Sequence, residues 1–333
     1  MAEDTSGEKK RLRWGFLSTA RINRALIGPL ASSPRNELLA VASRSIERAR
    51  AYALEWNIPR AYGSYEELLE DPNIDVVYIS LPNGLHASWT IRAVNAGKHV
   101  LCEKPLAIRV SEVDAIIEAR DRTGRVVAEA FMYRHHPQTD LVKEILDRGE
   151  IGNVHLIRGS FAFYLSRSSD VRLDASLGGG SLWDVGCYPV NFTRFLLGRE
   201  PDEVFGWQVT GSSGVDVVFA GQMRFVGDVL AQFDCGFRSP FRASLELVGS
   251  KGVISLPNPF KPMFGDTIHL FREAGLELIT VPAQELYAGE VEDMADAILE
   301  SRSPRISLED SRANISVLVA LLESARTGKA IHL

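Results

Sequence analysis

From residue 11 to about 130, short apolar runs alternate with longer stretches in which apolar residues return every three or four positions. LRWGFL, ELLAVAS, DVVYIS, HVLCE and RVVAEA are strand-length runs. DVVYIS is apolar almost throughout, like strands buried on both faces of a parallel sheet. The stretches between them read as helices. One runs through Leu30 and should be kinked by Pro29. IERARAYALEW has Ser45 as N-cap, and SYEELLED has Ser64 and Glu67 at capping-box spacing. Another runs through Asn95 to Gly97, and a further one spans about 111–122. Strict alternation of strand and helix predicts right-handed crossovers and a doubly wound parallel sheet.

Beyond Phe131 the period changes. A helix over about 139–147 leads into VHLIRGSFAFY, and GGGSLWDVGCYPVNF opens a second helix. EVFGWQVTG, VDVVFAGQMRF, DVLAQFDCGF, RASLELVG and GVISL then follow with almost no helix between them. This predicts an antiparallel or mixed sheet, closed by two helices near 290–300 and 308–327. No repeat or low-complexity linker intervenes, so two closely packed domains are expected, 1–130 and 131–333, with 1–10 a flexible tail.

The length of 333 residues agrees with two domains of roughly 150 each. Apolar content of 45% and charged content of 24% are ordinary for a globular chain. A net charge of -6 argues against non-specific nucleic-acid binding. No apolar run approaches the ~20 residues that span a bilayer, and the N-terminus lacks the apolar middle of a signal peptide. Cys102, Cys187 and Cys235 lie far apart, with no CxxC or HExxH, so neither a disulfide framework nor zinc is indicated. Adjacent His135 and His136 would not converge on one metal. The expectation is a cytoplasmic, metal-free protein.

GFLSTARI lies between the first strand and first helix, where a phosphate-binding turn belongs. Gly15 is read as the turn residue. Small Ser18 and Ala20, among Thr19, Arg21 and Ile22, would let backbone amides approach a pyrophosphate at the helix N-terminus. Against GxGxxG, Leu17 takes the second glycine position and Ser18 the next; an ordinary βα turn is the alternative. The second strand ends in Ser43-Arg44, where an NAD site would hold the ribose 2′-hydroxyl with an acidic residue. Arg44 can instead pair with a 2′-phosphate and stack on adenine, and Arg48, one turn on, adds charge. NADP is therefore the expected cofactor; the alternative is a solvated arginine at a strand end.

SLPNGLH, CEKPL and GGGSLWDVGCYP, in that order, resemble the glucose–fructose oxidoreductase and inositol dehydrogenase (Gfo/Idh/MocA) family over nearly the whole chain. ASR, AEAFMYRHHPQ and GEIG look most like its NADP-dependent branch of xylose and other aldose dehydrogenases, dihydrodiol dehydrogenases and ketosugar reductases. The resemblance implies a Rossmann domain and an α+β domain whose large open, mostly antiparallel sheet forms a homodimer or homotetramer. It places Ser80, Leu81, Pro82, Asn83 and His86 in the loop beneath NADP(H), and Glu103 and Lys104 beside the nicotinamide ribose. Tyr188 stands where many relatives have histidine, and Asn191 where an aspartate is frequent. The implied activity is hydride transfer to or from a sugar or cyclic polyol, with dihydrodiol dehydrogenase or ketosugar reductase as the alternative. A catalytically silent NADP-binding sensor is the reading from another class; the presence of both Lys104 and Tyr188 argues against it.

Such chemistry must manage one proton as hydride moves. Lys104 is the candidate ammonium and Tyr188 the phenol it would activate, since a nearby cation favours the phenolate. Which of the two exchanges the proton stays open. Pro105 pushes Lys104 towards extended geometry and allows a cis Lys104–Pro105 bond. Asp184 and Tyr188 share a helix face (i, i+4), and the glycines before them are expected to let the backbone approach cofactor and substrate. Asp184 either orients a sugar hydroxyl or, at capping-box spacing from Ser181, caps the helix. Pro189 should bend that helix. Tyr133 and His136 are expected in the substrate cleft, with packing at the domain seam as the alternative, and Arg172 to reach polar substrate oxygens.

Overall fold

The computed structural model describes residues 11–167 and 169–333. The expected tail, 1–10, lies outside the described residues. In the first part, β1 (Leu12–Leu17), β2 (Asn36–Ala42), β3 (Arg60–Tyr62), β4 (Val76–Ile79), β5 (His99–Glu103) and β6 (Val127–Ala130) are all parallel, in the order β3-β2-β1-β4-β5-β6. The helices between them are α1 (Arg24–Ser32), α2 (Ile46–Trp56), α3 (Tyr65–Glu70), α4 (Asn83–Asn95) and α5 (Val110–Thr123). Strand order reverses between β1 and β4, which opens a crevice at the carboxyl ends of the strands. The anticipated caps are present: Ser45 accepts from the Arg48 amide and Ser64 from the Glu67 amide. Strand β3, between Pro59 and Gly63, is too short to show a period in sequence.

The second part starts with α6 (Pro137–Asp147), β7 (Val154–Tyr164) and α7 (Cys187–Leu197). It continues with β8 (Glu203–Thr210), β9 (Asp216–Phe225), β10 (Val229–Gly236), β11 (Arg238–Gly249), β12 (Gly252–Leu256), β13 (Thr267–Arg272) and β14 (Gly275–Thr280). After α8 (Ala288–Leu299) and α9 (Leu308–Thr327) comes β15 (Ile331–His332). The nine-stranded sheet has the order β14-β13-β12-β11-β7-β10-β9-β8-β15. Its pairs are antiparallel except β7 with β10, so the sheet is mixed as the pattern predicted. One face is covered by α7 and α9. The other leaves Trp207, Leu230, Phe271 and Leu278 exposed.

The last two helices tie the parts together. Val291, Met294 and Ala295 of α8 share a buried cluster with Leu12, Trp14 and Phe16 of β1. Arg35, just before β2, bonds Glu292 and Asp296 on α8, and α9 packs on α5 and β6 as well as on β8. Apolar helix faces removed from water against the first sheet join the two parts through a shared core.

Glu129 of β6 is fully buried, with Oε1 accepting from the Leu106 amide at 2.9 Å and Oε2 without a partner among the described residues. Burial pushes this carboxyl from 4.5 up to about 7. The fold therefore keeps a proton that the unfolded chain releases, and this contribution is full below 4.5 and lost as pH rises through about 7. Glu129→Gln should remove up to about 3 kcal/mol of the fall in stability between about pH 5 and 8. Thermal unfolding against pH checks this; parallel curves for the two proteins would contradict it.

Candidate active site

The turn after β1 is built differently from the expectation. Gly15 does not make it. Gly15 lies inside β1, and a Cβ there would sit 2.9 Å from Leu68 Cδ2, so its bareness serves the packing of α3. The turn residue is Ser18, with φ of 132°, a conformation that normally requires glycine. The GxGxxG spacing therefore falls on Ser18, Ala20 and Asn23. Side chains knit the turn: Ser18 Oγ lies 2.8 Å from Ser80 Oγ, Ser80 Oγ donates to Asn23 Oδ1 at 2.6 Å, and Asn23 Nδ2 donates to the Ser18 carbonyl at 2.7 Å. A short 3-10 turn, Arg21–Asn23, runs into α1. Its first amides, beside half-buried Thr19 and Ala20 and Ile22, have no intrahelical acceptor and can take an anion. At the end of β2 Ser43 is buried, while Arg44 and Arg48 are exposed and form no ion pair among the described residues. Two guanidiniums without an ion pair, at a strand end that carries Ser43-Arg44 in place of an acidic residue, fit a 2′-phosphate; nearby Glu47 accepts from Ser45 Oγ.

The loop after β4 is a tie rather than an open platform. Leu81 is buried and Pro82 precedes α4 as its N-cap residue. Asn83 Nδ2 donates to the Gly178 carbonyl at 2.8 Å. His86 is 1% exposed, and its ring nitrogens lie 2.7 Å from the Pro105 carbonyl and 2.6 Å from the Leu81 carbonyl. His86 thus joins the loops after β4 and β5 and does not itself reach a cofactor. The Lys104–Pro105 bond is cis.

Lys104 extends from the end of β5 across to the glycine-rich segment. Its Nζ donates to the Asp184 carbonyl at 2.6 Å and lies 3.2 Å from Asp184 Oδ1. Arg172 Nε holds Asp184 Oδ2 at 2.7 Å, and Arg172 Nη1 holds Asp170 Oδ1 at 3.2 Å. Burial alone would raise the Asp184 carboxyl, but the Lys104 ammonium and Arg172 guanidinium hold it below the usual range. Burial also opposes the charge on Lys104; the Asp184 carboxylate overcomes it and raises the lysine above its ordinary value. Asp184 does not cap its helix. That task falls to Asp216 Oδ2, which accepts from Ser181 Oγ at 2.6 Å and the Leu182 amide at 2.7 Å.

Residues Leu182–Gly186 form a π-helical turn directly before α7. In a π register the donor five residues beyond Asp184 is Pro189, which has no N–H. The Asp184 carbonyl accordingly turns to Lys104. The three glycines before this turn approach the protein's own atoms. A Cβ on Gly179 would lie 2.5 Å from the Arg172 carbonyl oxygen, and one on Gly180, at φ of 127°, would lie 2.3 Å from Asp216 Oδ1. The segment is thereby threaded between α4, Arg172 and Asp216, which fixes where Asp184 points.

Tyr188 sits below Lys104, whose Nζ is 5.2 Å from the ring centroid. The ring is enclosed by Phe131, Phe161 and Phe260, and its hydroxyl faces Met132 Sδ at 3.7 Å. Burial pushes the phenol well above its ordinary value, contrary to the expectation of an activated phenolate. The ammonium's charge is spent on Asp184, and the hydroxyl does not bond to it. Glu103 accepts from the Tyr78 hydroxyl, and burial raises its carboxyl.

Two expected cleft residues are not in the cleft. Tyr133 is fully buried and donates to Asn191 Oδ1 at 2.6 Å, an acceptor shared with Arg134 Nη1 at 3.1 Å. His136 is 2% exposed, and its Nδ1 accepts from the Gln138 amide at the start of α6. Both belong to the seam. Sequence reasoning missed Asn23, Tyr78, Asp170 and Asp216. For Asn23, aligning the GxGxxG spacing on Ser18 instead of Gly15 would have revealed it. The other three meet their partners only through the fold.

Among the described residues no helix is long and apolar enough to cross a membrane, and no cluster of potential ligands could hold a metal ion. Residues 12–131 match the oxidoreductase family model described as an NAD-binding Rossmann fold, and 139–255 match the GFO/IDH/MocA C-terminal domain. The chain is 36% identical to a D-xylose 1-dehydrogenase (NADP(+)) of Haloferax volcanii, over 97% of this chain and 100% of that one. It is 33% identical to trans-1,2-dihydrobenzene-1,2-diol dehydrogenase of Mus musculus, over 75% of this chain and 76% of that one. A 3-ketoreductase from Actinomadura kijaniata, solved with NADP and TDP-benzene, superimposes with a TM-score of 0.90 at 31% identity, over 95% and 98% of the two chains. Structures of that ketoreductase with a lysine replaced by alanine and with a tyrosine replaced by phenylalanine are also similar. Those two positions have the same separation as Lys104 and Tyr188. With both halves matched and the strand order of each sheet in place, the chain belongs to the Gfo/Idh/MocA oxidoreductase family.

Proposed function

We propose that this chain is an NADP-dependent oxidoreductase that moves a hydride between the cofactor and a carbon of a sugar or cyclic polyol. The observation that carries the reading is the meeting of Lys104, from the end of β5, with Asp184 and Tyr188 from the other half of the chain. The relatives named for xylose and dihydrodiol oxidation and for ketoreduction support it.

A bound nicotinamide supplies or accepts the hydride. The chain's residues supply orientation and the proton. Ser18, Ala20 and Asn23 shape the pyrophosphate turn, and Arg44 and Arg48 take the 2′-phosphate. Asp184 keeps Lys104 charged and aims it at the substrate oxygen. Lys104 and Tyr188 are both raised above their ordinary values, so both enter as proton donors. In the oxidative direction Lys104, once deprotonated, takes the proton leaving the sugar hydroxyl. Residues 1–130 serve as the cofactor domain and 131–333 as the substrate and assembly domain.

Replacing Arg44 by aspartate should cut the NADP-over-NAD preference by about one to two decades, since one charge-assisted bond contributes roughly 1.5–3 kcal/mol. The ratio of kcat/KM for the two cofactors checks this, and an unaltered ratio would remove Arg44 from the pocket. The exposed apolar row with Trp207, Leu230 and Leu278 on the open sheet serves to join copies into a homodimer or homotetramer. Sedimentation equilibrium should find the oligomer, and Trp207→Glu should weaken it; a monomeric native protein would overturn this. The cytoplasm suits a chain whose Cys102, Cys187 and Cys235 are buried free thiols.

A further inference from the structure

The loop between β12 and β13 carries a charge that none of the preceding chemistry uses. The loop is fixed in place: Gln138 Nε2 donates to the Asn258 carbonyl at 3.1 Å, and Asn258 Nδ2 and the Met263 amide both donate to Asp266. Phe260 plugs into the aromatic wall behind Tyr188, their centroids 5.5 Å apart. The next residue, Lys261, reaches back over the same wall, with Nζ 5.9 Å from the centroid of Phe161. Phe161 in turn meets the Tyr188 ring edge-on at 5.2 Å. Lys104 and Lys261 therefore stand over neighbouring rings.

Both Asp184 oxygens are already engaged, by Lys104 and Arg172, and Asp170 is engaged by Arg172. Lys261 forms no ion pair or hydrogen bond among the described residues and remains open to solvent. It is the surplus cation on the substrate side of the site. Although the side chain stays open to solvent, partial desolvation beside the Phe161 ring, reinforced by the Lys104 ammonium, lowers it from its ordinary value, so its charge gains from an anion brought beside it.

We propose that Lys261 is a substrate-binding residue that selects sugars bearing an anionic substituent, a carboxylate or a phosphate ester, over neutral ones. The inference rests on the proposed sugar oxidoreductase activity and adds the class of substrate. An ammonium paired with a bound anion forms a charge-assisted hydrogen bond that a hydroxyl matches only weakly.

The test compares a neutral hexose, the matching hexuronate and the matching hexose phosphate. Each is titrated into NADP-loaded protein by calorimetry and assayed for turnover, with native protein, Lys261→Gln and Lys261→Arg. One charged sugar should be preferred over the neutral one by about ten-fold or more in Kd and KM. The glutamine variant should bring the ratio close to one, the arginine variant should retain it, and which charged sugar wins identifies carboxylate or phosphate. A neutral sugar preferred by the native protein, or a preference the glutamine variant retains, would overturn the proposal. Binding selectivity without turnover of any sugar would sink the oxidoreductase reading while leaving Lys261 its role.

Discussion

Replacing Lys104 by methionine should lower kcat by about 10²–10⁴-fold, the range for loss of a positioned acid–base group. The substitution keeps most of the volume and removes the ammonium that reaches both the Asp184 oxygens and the Tyr188 ring. Arg172 still neutralises Asp184, so the carboxylate is not left as an uncompensated buried charge and the fold should survive. NADP affinity should change far less than kcat, since Ser18 and Asn23 of the pyrophosphate turn are held by Ser80 and by each other while Lys104 is held by Asp184. Steady-state kinetics beside a direct NADP titration would separate the effects. A variant that turns over like the native protein would take Lys104 out of the proton path.

Tyr188→Phe should produce a loss of comparable size, about 10²–10⁴-fold in kcat. The ring is held by Phe131, Phe161 and Phe260, and among the described residues the hydroxyl's one partner is the weak acceptor Met132 Sδ. Phenylalanine can therefore fill the place without a cavity or an orphaned polar partner, and the melting temperature should hardly move. Because burial keeps the phenol protonated, the reductive rate of the native protein should stay level with rising pH beyond the ordinary tyrosine value of about 10. A reductive rate that falls near neutral pH, or a phenylalanine variant of full activity, would show that Tyr188 gives no proton.

The first sheet was legible because its strands carry long apolar runs separated by capped helices, and Ser45, Ser64 and Gly97 mark boundaries by local chemistry alone. Strands β13 and β14 were not, since the short TIHLFR of 267–272 and the mostly exposed 275–280 offer little apolar signal. Within the site, Lys104 and Asp184 were legible as residue types at a strand end and beside a glycine run. Their contact, and Arg172 as the third member, arises across 80 residues of chain and depends on the π-turn and Pro189 freeing one carbonyl. Tyr133 and His136 were misplaced because polar aromatic residues after a strand look alike whether they face a cleft or a seam; Asn191 supplies the acceptor that takes Tyr133 inward. Gly15 misled by chemistry, as a glycine near a turn, while the residue that adopts the glycine conformation is Ser18.

The most direct measurement follows dihydronicotinamide absorbance when NADP is mixed with a panel of aldoses, polyols and sugar acids in the presence of the native protein, Lys104→Met or Tyr188→Phe. The account predicts steady formation of reduced cofactor with at least one member, and a rate lower by two decades or more in both variants, as expected for loss of a general acid–base group. Tight NADP binding with no turnover of any member, or variants as fast as the native protein, would contradict it.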